Sequence, residues 1–185
     1  VSNGFVQTFR LQGQKLVGEG KIDIRPDDDK DNPRPGGMAI TKDGTRLYVA
    51  AMDRNAVVEV DLATSKRLRE FPVQQLPYDV KLSEDERTLI VTNWGGRNVG
   101  DDEPKEQTGN TMIAADAHGG AASGTVSVIQ RESGAVKSVP IGIHPCAIVL
   151  KADTAYIANA AEDNITVFSV SEAKVTRTIP IKWGK

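Results

Sequence analysis

The chain has 185 residues and a formal net charge of −2, with 23 Lys and Arg against 25 Asp and Glu. That balance excludes an electrostatic binder of nucleic acid or of an anionic membrane surface, both of which need a basic excess. No apolar run approaches the ~18 residues of a spanning helix, and the single cysteine, Cys146, cannot form an internal disulfide.

In chain order, Val1-Ser-Asn3 reads as the end of a strand, and residues 5–11 and 15–24 as the outer two strands of a sheet whose first half is absent. Residues 25–36 are irregular. Their acidic run, Asp27 to Asp31, offers oxygen ligands to a hard cation, but it lacks the alternating spacing and turn glycine of a dedicated Ca²⁺ loop, so a solvated loop is expected. A pattern then appears three times. Residues 37–51, 78–93 and 146–159 each read as a short apolar run, a polar turn and a β-branched run ending in Ala or Asn. Each copy follows a proline, Pro35, Pro77 or Pro145, and each is followed by a second strand pair: 56–61 with 67–73, 125–130 with 136–141, and 165–170 with 175–181. Lys42-Asp-Gly-Thr45 supplies an Asp-Gly hairpin turn. Helical periodicity is missing.

A period near 40 residues with four strand-like runs predicts an all-β chain of β-propeller blades, each a four-stranded antiparallel sheet. The expected blades are 35–73, 77–141 and 145–181, with a partial blade over 1–25, about three and a half in all. Pro35 to Pro77 is about 42 residues and Pro77 to Pro145 about 68, so the second blade carries an insertion. It lies at 95–123, rich in Gly, Ala and polar residues, and is expected to be largely irregular and dispensable for the fold. Because the pattern opens inside a strand, the chain is expected to be part of a longer one. Its two end faces would then be covered by the remainder of that protein or by a second copy completing the ring.

An antiparallel meander sorts its loops. Connections one–two and three–four emerge on one face and are short here. Connections two–three and four–one emerge on the other, where length and irregularity concentrate, and that face is expected to bind. Arg34, Leu76 and His144 precede the three prolines and should ring the channel mouth. Arg34 and His144 suit an anionic ligand, and His144 suits a general base. The bland alternative is a pre-proline residue simply held extended. Tyr78, Trp94 and Arg97 complete the candidate ligand-binding set, although for Trp94 packing over a blade edge is the favoured alternative. The strand-end asparagines should hydrogen-bond the turn that follows. In the insertion, Asp116 and His118 alternate by two, so an extended segment would let them share a divalent cation; no other cofactor is expected. Cys146, at the start of a first strand, reads as a structural thiol. No Gly-x-Ser-x-Gly elbow or phosphate-cradling glycine motif appears.

The strand endings Val1-Ser-Asn3, Tyr48-Val-Ala-Ala51, Ile90-Val-Thr-Asn93 and Tyr156-Ile-Ala-Asn159 resemble the YVTN-type propeller repeat. The resemblance implies a ring of seven blades in a periplasmic or extracellular protein, often without catalytic activity. Thr92-Asn-Trp-Gly-Gly-Arg97, followed by a Gly-rich insertion, resembles a subgroup in which the propeller precedes an alkaline-phosphatase-superfamily phosphoesterase domain. That domain would lie downstream of Lys185, and its metal ligands and nucleophile have no counterpart in this sequence. The leading expectation is a non-catalytic scaffold that binds a small molecule or a protein within a larger exported protein. The alternatives are a lactonase-type metal-dependent hydrolase and a surface adhesion protein.

Overall fold

The computed structural model describes residues 4–26 and 32–182, so the acidic run 27–31 and Val1-Ser-Asn3 lie outside the described residues. The short, β-branched, alternating runs form strands throughout. β1 (Phe5–Gln12) and β2 (Lys15–Asp23) pair as a two-stranded sheet. β3 (Pro35–Ile40), β4 (Arg46–Ala51), β5 (Ala56–Asp61) and β6 (Lys66–Pro72) form the first complete meander. β7 (Gln75–Leu82) and β8 (Thr88–Gly96) begin the second, which β11 (Gly124–Gln130) and β12 (Val136–Ile141) complete. β13 (Pro145–Lys151), β14 (Thr154–Asn159), β15 (Asn164–Ser169) and β16 (Lys174–Pro180) form the third. The protein is an all-β partial propeller of four-stranded antiparallel blades, an open arc and not a closed ring.

Between β8 and β11 the insertion is not structureless. β9 (Lys105–Thr108) and β10 (Thr111–Ala114) form a hairpin, with Thr111, Ile113 and Ala114 buried. The rest of 95–123 is largely irregular, as expected; the hairpin was not anticipated because apolar alternation confined to four residues is too short to register as a strand pattern.

The core lies between blades. Ile22 and Ile24 pack on Leu47, Val49, Val58 and Val60. Tyr48, Val57 and Phe71 face Val80, Leu89, Val91 and Ile129. Ile90, Val126 and Val128 face Ile148, Ile157 and Phe168. The second and third strands therefore show one residue set to the preceding blade and the other to the following one, which is why apolar residues occupy both alternating sets there. A register shift recurs at one point of the third–fourth pairing, at Thr8/Phe9, Glu59/Val60 and Val167/Phe168. Such bulges increase strand twist.

First strands stand side by side at the axis, where Asp79 ties blade two to blade three. Its Oδ2 accepts the Ile148 N–H at 3.0 Å, and its Oδ1 accepts from Lys81 Nζ at 2.7 Å. Thr92 Oγ1 donates to the Cys146 carbonyl at 2.7 Å across the same junction. The Cys146 thiol is only half-buried and donates to the Ala158 carbonyl at 3.4 Å.

Candidate functional site

Arg34, Leu76 and His144 occupy equivalent places where the chain crosses from an outer strand to the next first strand. All three lie in the left-handed region, with φ of 47°, 52° and 53°. Local sterics before proline favour an extended residue, and that expectation is overturned. Hydrogen bonds hold the bend. The Arg34 carbonyl accepts the Met52 N–H at 3.1 Å and the His144 carbonyl accepts the Ala160 N–H at 3.0 Å, each from the second–third connection of the blade being entered. Leu76 N–H donates to Asn55 Oδ1 at 2.8 Å. The strain of a left-handed non-glycine is ~1–2 kcal/mol, which bonds of about 1 kcal/mol each offset.

The mouth assembles two clusters from the expected residues. In the first, the His144 ring lies flat on Trp94, with centroids 3.8 Å apart and planes 8° from parallel. Trp94 extends β8 beyond Asn93, so the stack bridges blades two and three. His144 Nε2 is buried without a hydrogen-bond partner among the described residues. Desolvation pushes the imidazole below its ordinary ionisation range, so it is neutral at pH 7. In the second, Arg34 Nη2 meets Asp53 Oδ1 at 2.7 Å. The β9–β10 turn closes over this ion pair at Gly109, whose φ is +61° and where a Cβ would collide with the Asp53 carboxylate. Only glycine fits there.

Hydrogen bonds dock the hairpin. Asn55 Nδ2 donates to Thr111 Oγ1 at 2.9 Å, and Thr111 Oγ1 donates to Gln75 Oε1. Asn55 thus joins blade one, the insertion and the Leu76 crossover. Sequence reasoning missed Asp53, Asn55, Gln75 and Thr111. The available signal was Asn55 closing the short connection 52–55, a residue type that tolerates φ of 52°.

The remaining expected residues stand apart from these clusters. Tyr78 is 44% exposed on β7, and its carbonyl sits against Gly36. Arg97 is exposed and pairs in a two-pronged fashion with Glu103, with Nη1 to Oε1 at 3.0 Å. Asp116 lies in a tight turn instead of an extended segment, and its Oδ1 accepts the His118 N–H at 2.8 Å and the Gly120 N–H at 2.9 Å. No group of three or more potential metal ligands occurs among the described residues. The strand-end asparagines bond across the sheet and not only to the turn. Asn93 Nδ2 donates to Thr125 and Ser127 hydroxyls at 3.0 and 2.8 Å, while Asn159 Nδ2 donates to Thr166 Oγ1 at 2.7 Å and Asn164 Oδ1 at 2.6 Å. An amide N–H reaching a third-strand hydroxyl satisfies donor and hydroxyl, while Asn93 Oδ1 and Asn159 Oδ1 are buried without a partner among the described residues.

Blades around an axis, with irregular connections gathered at one mouth, define the β-propeller class. Solved propellers share the architecture. The β-propeller domain of Cps50 (Swd1) from Myceliophteria thermophila superimposes over 98% of this chain with a TM-score of 0.59 at 11% identity. U3-55K and the WD40 repeats of RRP9 each superimpose over 79% of the chain with a TM-score of 0.54 at 11% identity. The chain spans 53% of the first of these proteins, and 39% and 38% of the other two. At that identity the likeness establishes the fold alone. No family model matches the chain, and no curated protein matches it in sequence.

Proposed function

We propose that this chain is a non-catalytic propeller module of the YVTN type, a binding scaffold whose contact surface is the mouth face. The observation that carries the reading is the second-blade insertion. Its hairpin is docked on the mouth through Asn55, Thr111 and Gln75, leaving the Trp94–His144 stack half-exposed beside it. A flat aromatic pair with a neutral imidazole suits an uncharged or weakly anionic group better than a metal-bound substrate. Engagement of the Asp116 carboxylate by two backbone N–H groups favours a scaffold over a metal-dependent hydrolase. The strand endings and the Thr92–Arg97 segment support membership of a larger exported protein that continues into a phosphoesterase domain, with the rest of that protein as the structural partner.

Hydrolysis assays test the reading. The purified chain, with added Mn²⁺ or Ca²⁺, should turn over neither p-nitrophenyl phosphate, bis-p-nitrophenyl phosphate nor an acyl lactone above buffer. Turnover that disappears in His144→Ala would overturn it. Sequencing the gene past the Lys185 codon tests the fusion: a phosphoesterase domain supports it, and any other continuation refutes it.

A further inference from the structure

The second-blade insertion reaches back across the junction to blade one. Its two legs grip the same crossover, residues 74–76, from both sides. On the entering leg, Asn98 N–H donates to Gln74 Oε1 at 2.7 Å, and Asn98 Oδ1 accepts from Gln75 Nε2 at 3.0 Å. On the hairpin, Thr111 Oγ1 donates to Gln75 Oε1 and accepts from Asn55 Nδ2 at 2.9 Å. Asn55 Oδ1 in turn accepts the Leu76 N–H at 2.8 Å. Gln75 therefore engages both halves of its amide with the insertion. Junction two–three is held differently, by the Trp94–His144 stack between β8 and the crossover itself.

Two features set the hairpin apart from the blades. First, β9 and β10 pair only with each other, so the hairpin can lift without breaking any blade ladder. Second, its tip covers charge. Gly109 lies on the Arg34–Asp53 pair, and Arg34 Nε, Arg34 Nη2 and Asp53 Oδ1 are sealed from solvent without a well-formed hydrogen bond among the described residues. Charged atoms sealed in that state are unfavourable, and water would satisfy them once the tip rose. Buried Ile113 and Ala114, together with the Thr111 bonds, hold the hairpin down. The ion pair beneath it works in the opposite direction.

We infer that the insertion is a strap with a closed and an open state, closed in this structure across junction one–two. Closed, it fixes the 74–76 crossover and holds Arg34 on Asp53 beneath the tip. Open, it exposes that pair at the mouth and frees the Leu76 N–H, with all three blades intact. That Arg34 then becomes available to an anionic ligand rests on the mouth being the contact surface; the strap itself does not.

Native-state hydrogen exchange of the whole chain, followed by NMR at urea concentrations below the unfolding transition, tests it. In the parent, the Leu76 amide should exchange through an opening that responds weakly to urea, whereas the Val91 amide, in the core of blade two, exchanges only with global unfolding. Thr111→Val removes the hydroxyl shared by Asn55 and Gln75 with little change of shape. It should speed Leu76 exchange on the order of fivefold or more. The Ala160 N–H, held by the His144 carbonyl at the next junction, should keep its parent rate. Replacing the sealed pair by apolar residues, Arg34→Met with Asp53→Leu, should slow Leu76 exchange, which a hairpin with a purely structural role would not do. Leu76 exchange that coincides with global unfolding in the parent, equal acceleration of Leu76 and Ala160 in Thr111→Val, or no slowing in the double variant overturns the inference.

Discussion

The two complete blade junctions share one backbone geometry and differ in what they bury. In blade one the face toward blade two carries Tyr48, Glu59 and Arg69 as cross-strand neighbours. In blade two the equivalent neighbours, facing blade three, are Ile90, Val128 and Lys137. The first junction buries a carboxylate that Tyr48 and Arg69 satisfy, with Arg46 Nε a further 3.9 Å away. Its cost shows on the tyrosine: burial, and then the bond to Glu59, drive the phenol well above its ordinary ionisation range. The second junction is aliphatic on its second and third strands, with Lys137 exposed on the outer one. Two chemistries thus fill one repeat position, and the lesson is that the repeat specifies shape and alternation, not polarity. The polar junction also places Arg69 against the carbonyls of residues 131 and 132. A buried ion pair of this kind is weak evidence of stabilisation, since apolar replacement is often neutral or better, whereas removal of one partner is costly.

The largest expected effect follows from that asymmetry. Glu59→Ala leaves the Tyr48 hydroxyl buried without an acceptor and Arg69 without its anchor. The loss should be about 2–4 kcal/mol, discounted from a fully buried pair because the Arg69 side chain is 41% exposed. Converting the junction to its neighbour's chemistry, with Tyr48→Ile, Glu59→Val and Arg69→Lys together, should recover most of that loss, leaving stability within ~1 kcal/mol of the parent. Urea titration measures both. A triple variant as unstable as Glu59→Ala would mean that the polar junction is required by packing, and the comparison would fail.

How far the sequence revealed each junction follows from the range of the forces involved. Strands, blades and the ring of pre-proline residues were legible because β-branched alternation and turn chemistry are local and recur. The Glu59–Tyr48–Arg69 cluster was not, since a Glu within Ala56-Val-Val-Glu-Val-Asp61 reads as an outward polar residue until the next blade covers it. Left-handed Arg34, Leu76 and His144 were hidden for the same reason: bonds from Met52, Asn55 and Ala160 override a local preference. At the mouth, sequence placed Trp94 and His144 on one face but could not show that their rings stack, which depends on how blades two and three meet.

A smaller effect separates the junctions at the mouth, where blade two to three has the Trp94–His144 stack and blade one to two has Leu76 in the place of His144. Desolvation lowers the His144 pKa in the folded state relative to about 6.5 unfolded. The unfolded chain therefore binds more protons between the two values, and stability rises with pH there. This contribution is fully present above about pH 6.5 and is lost as pH falls through the folded value. His144→Phe, which keeps the stack without the proton site, should flatten that part of the urea-midpoint profile, whereas Leu76→Ala should shift the profile without changing its slope. An unchanged slope in His144→Phe would show that the imidazole is solvated and that the junctions do not differ in this way.

The smallest effect lies in the one–two turns, which put a left-handed residue at the same point of every blade: Gly44 at φ 69°, Glu86 at 58° and Ala152 at 49°. Glycine adopts this region without the Cβ clash that costs other residues ~1–2 kcal/mol, but it loses more chain entropy on folding, by roughly 0.5–1 kcal/mol relative to alanine. The first term exceeds the second. Ala152→Gly should therefore stabilise the third blade by about 0.5 kcal/mol, and Gly44→Ala should destabilise the first by a similar amount. Both turns are exposed, so packing contributes little to either value. Thermal melts of the two variants give the sign directly. If Ala152→Gly lowers the midpoint, the third-blade turn is held by its own bonds, such as the Asp153 carboxylate accepting the Ser171 N–H at 2.8 Å, tightly enough that backbone entropy outweighs the strain.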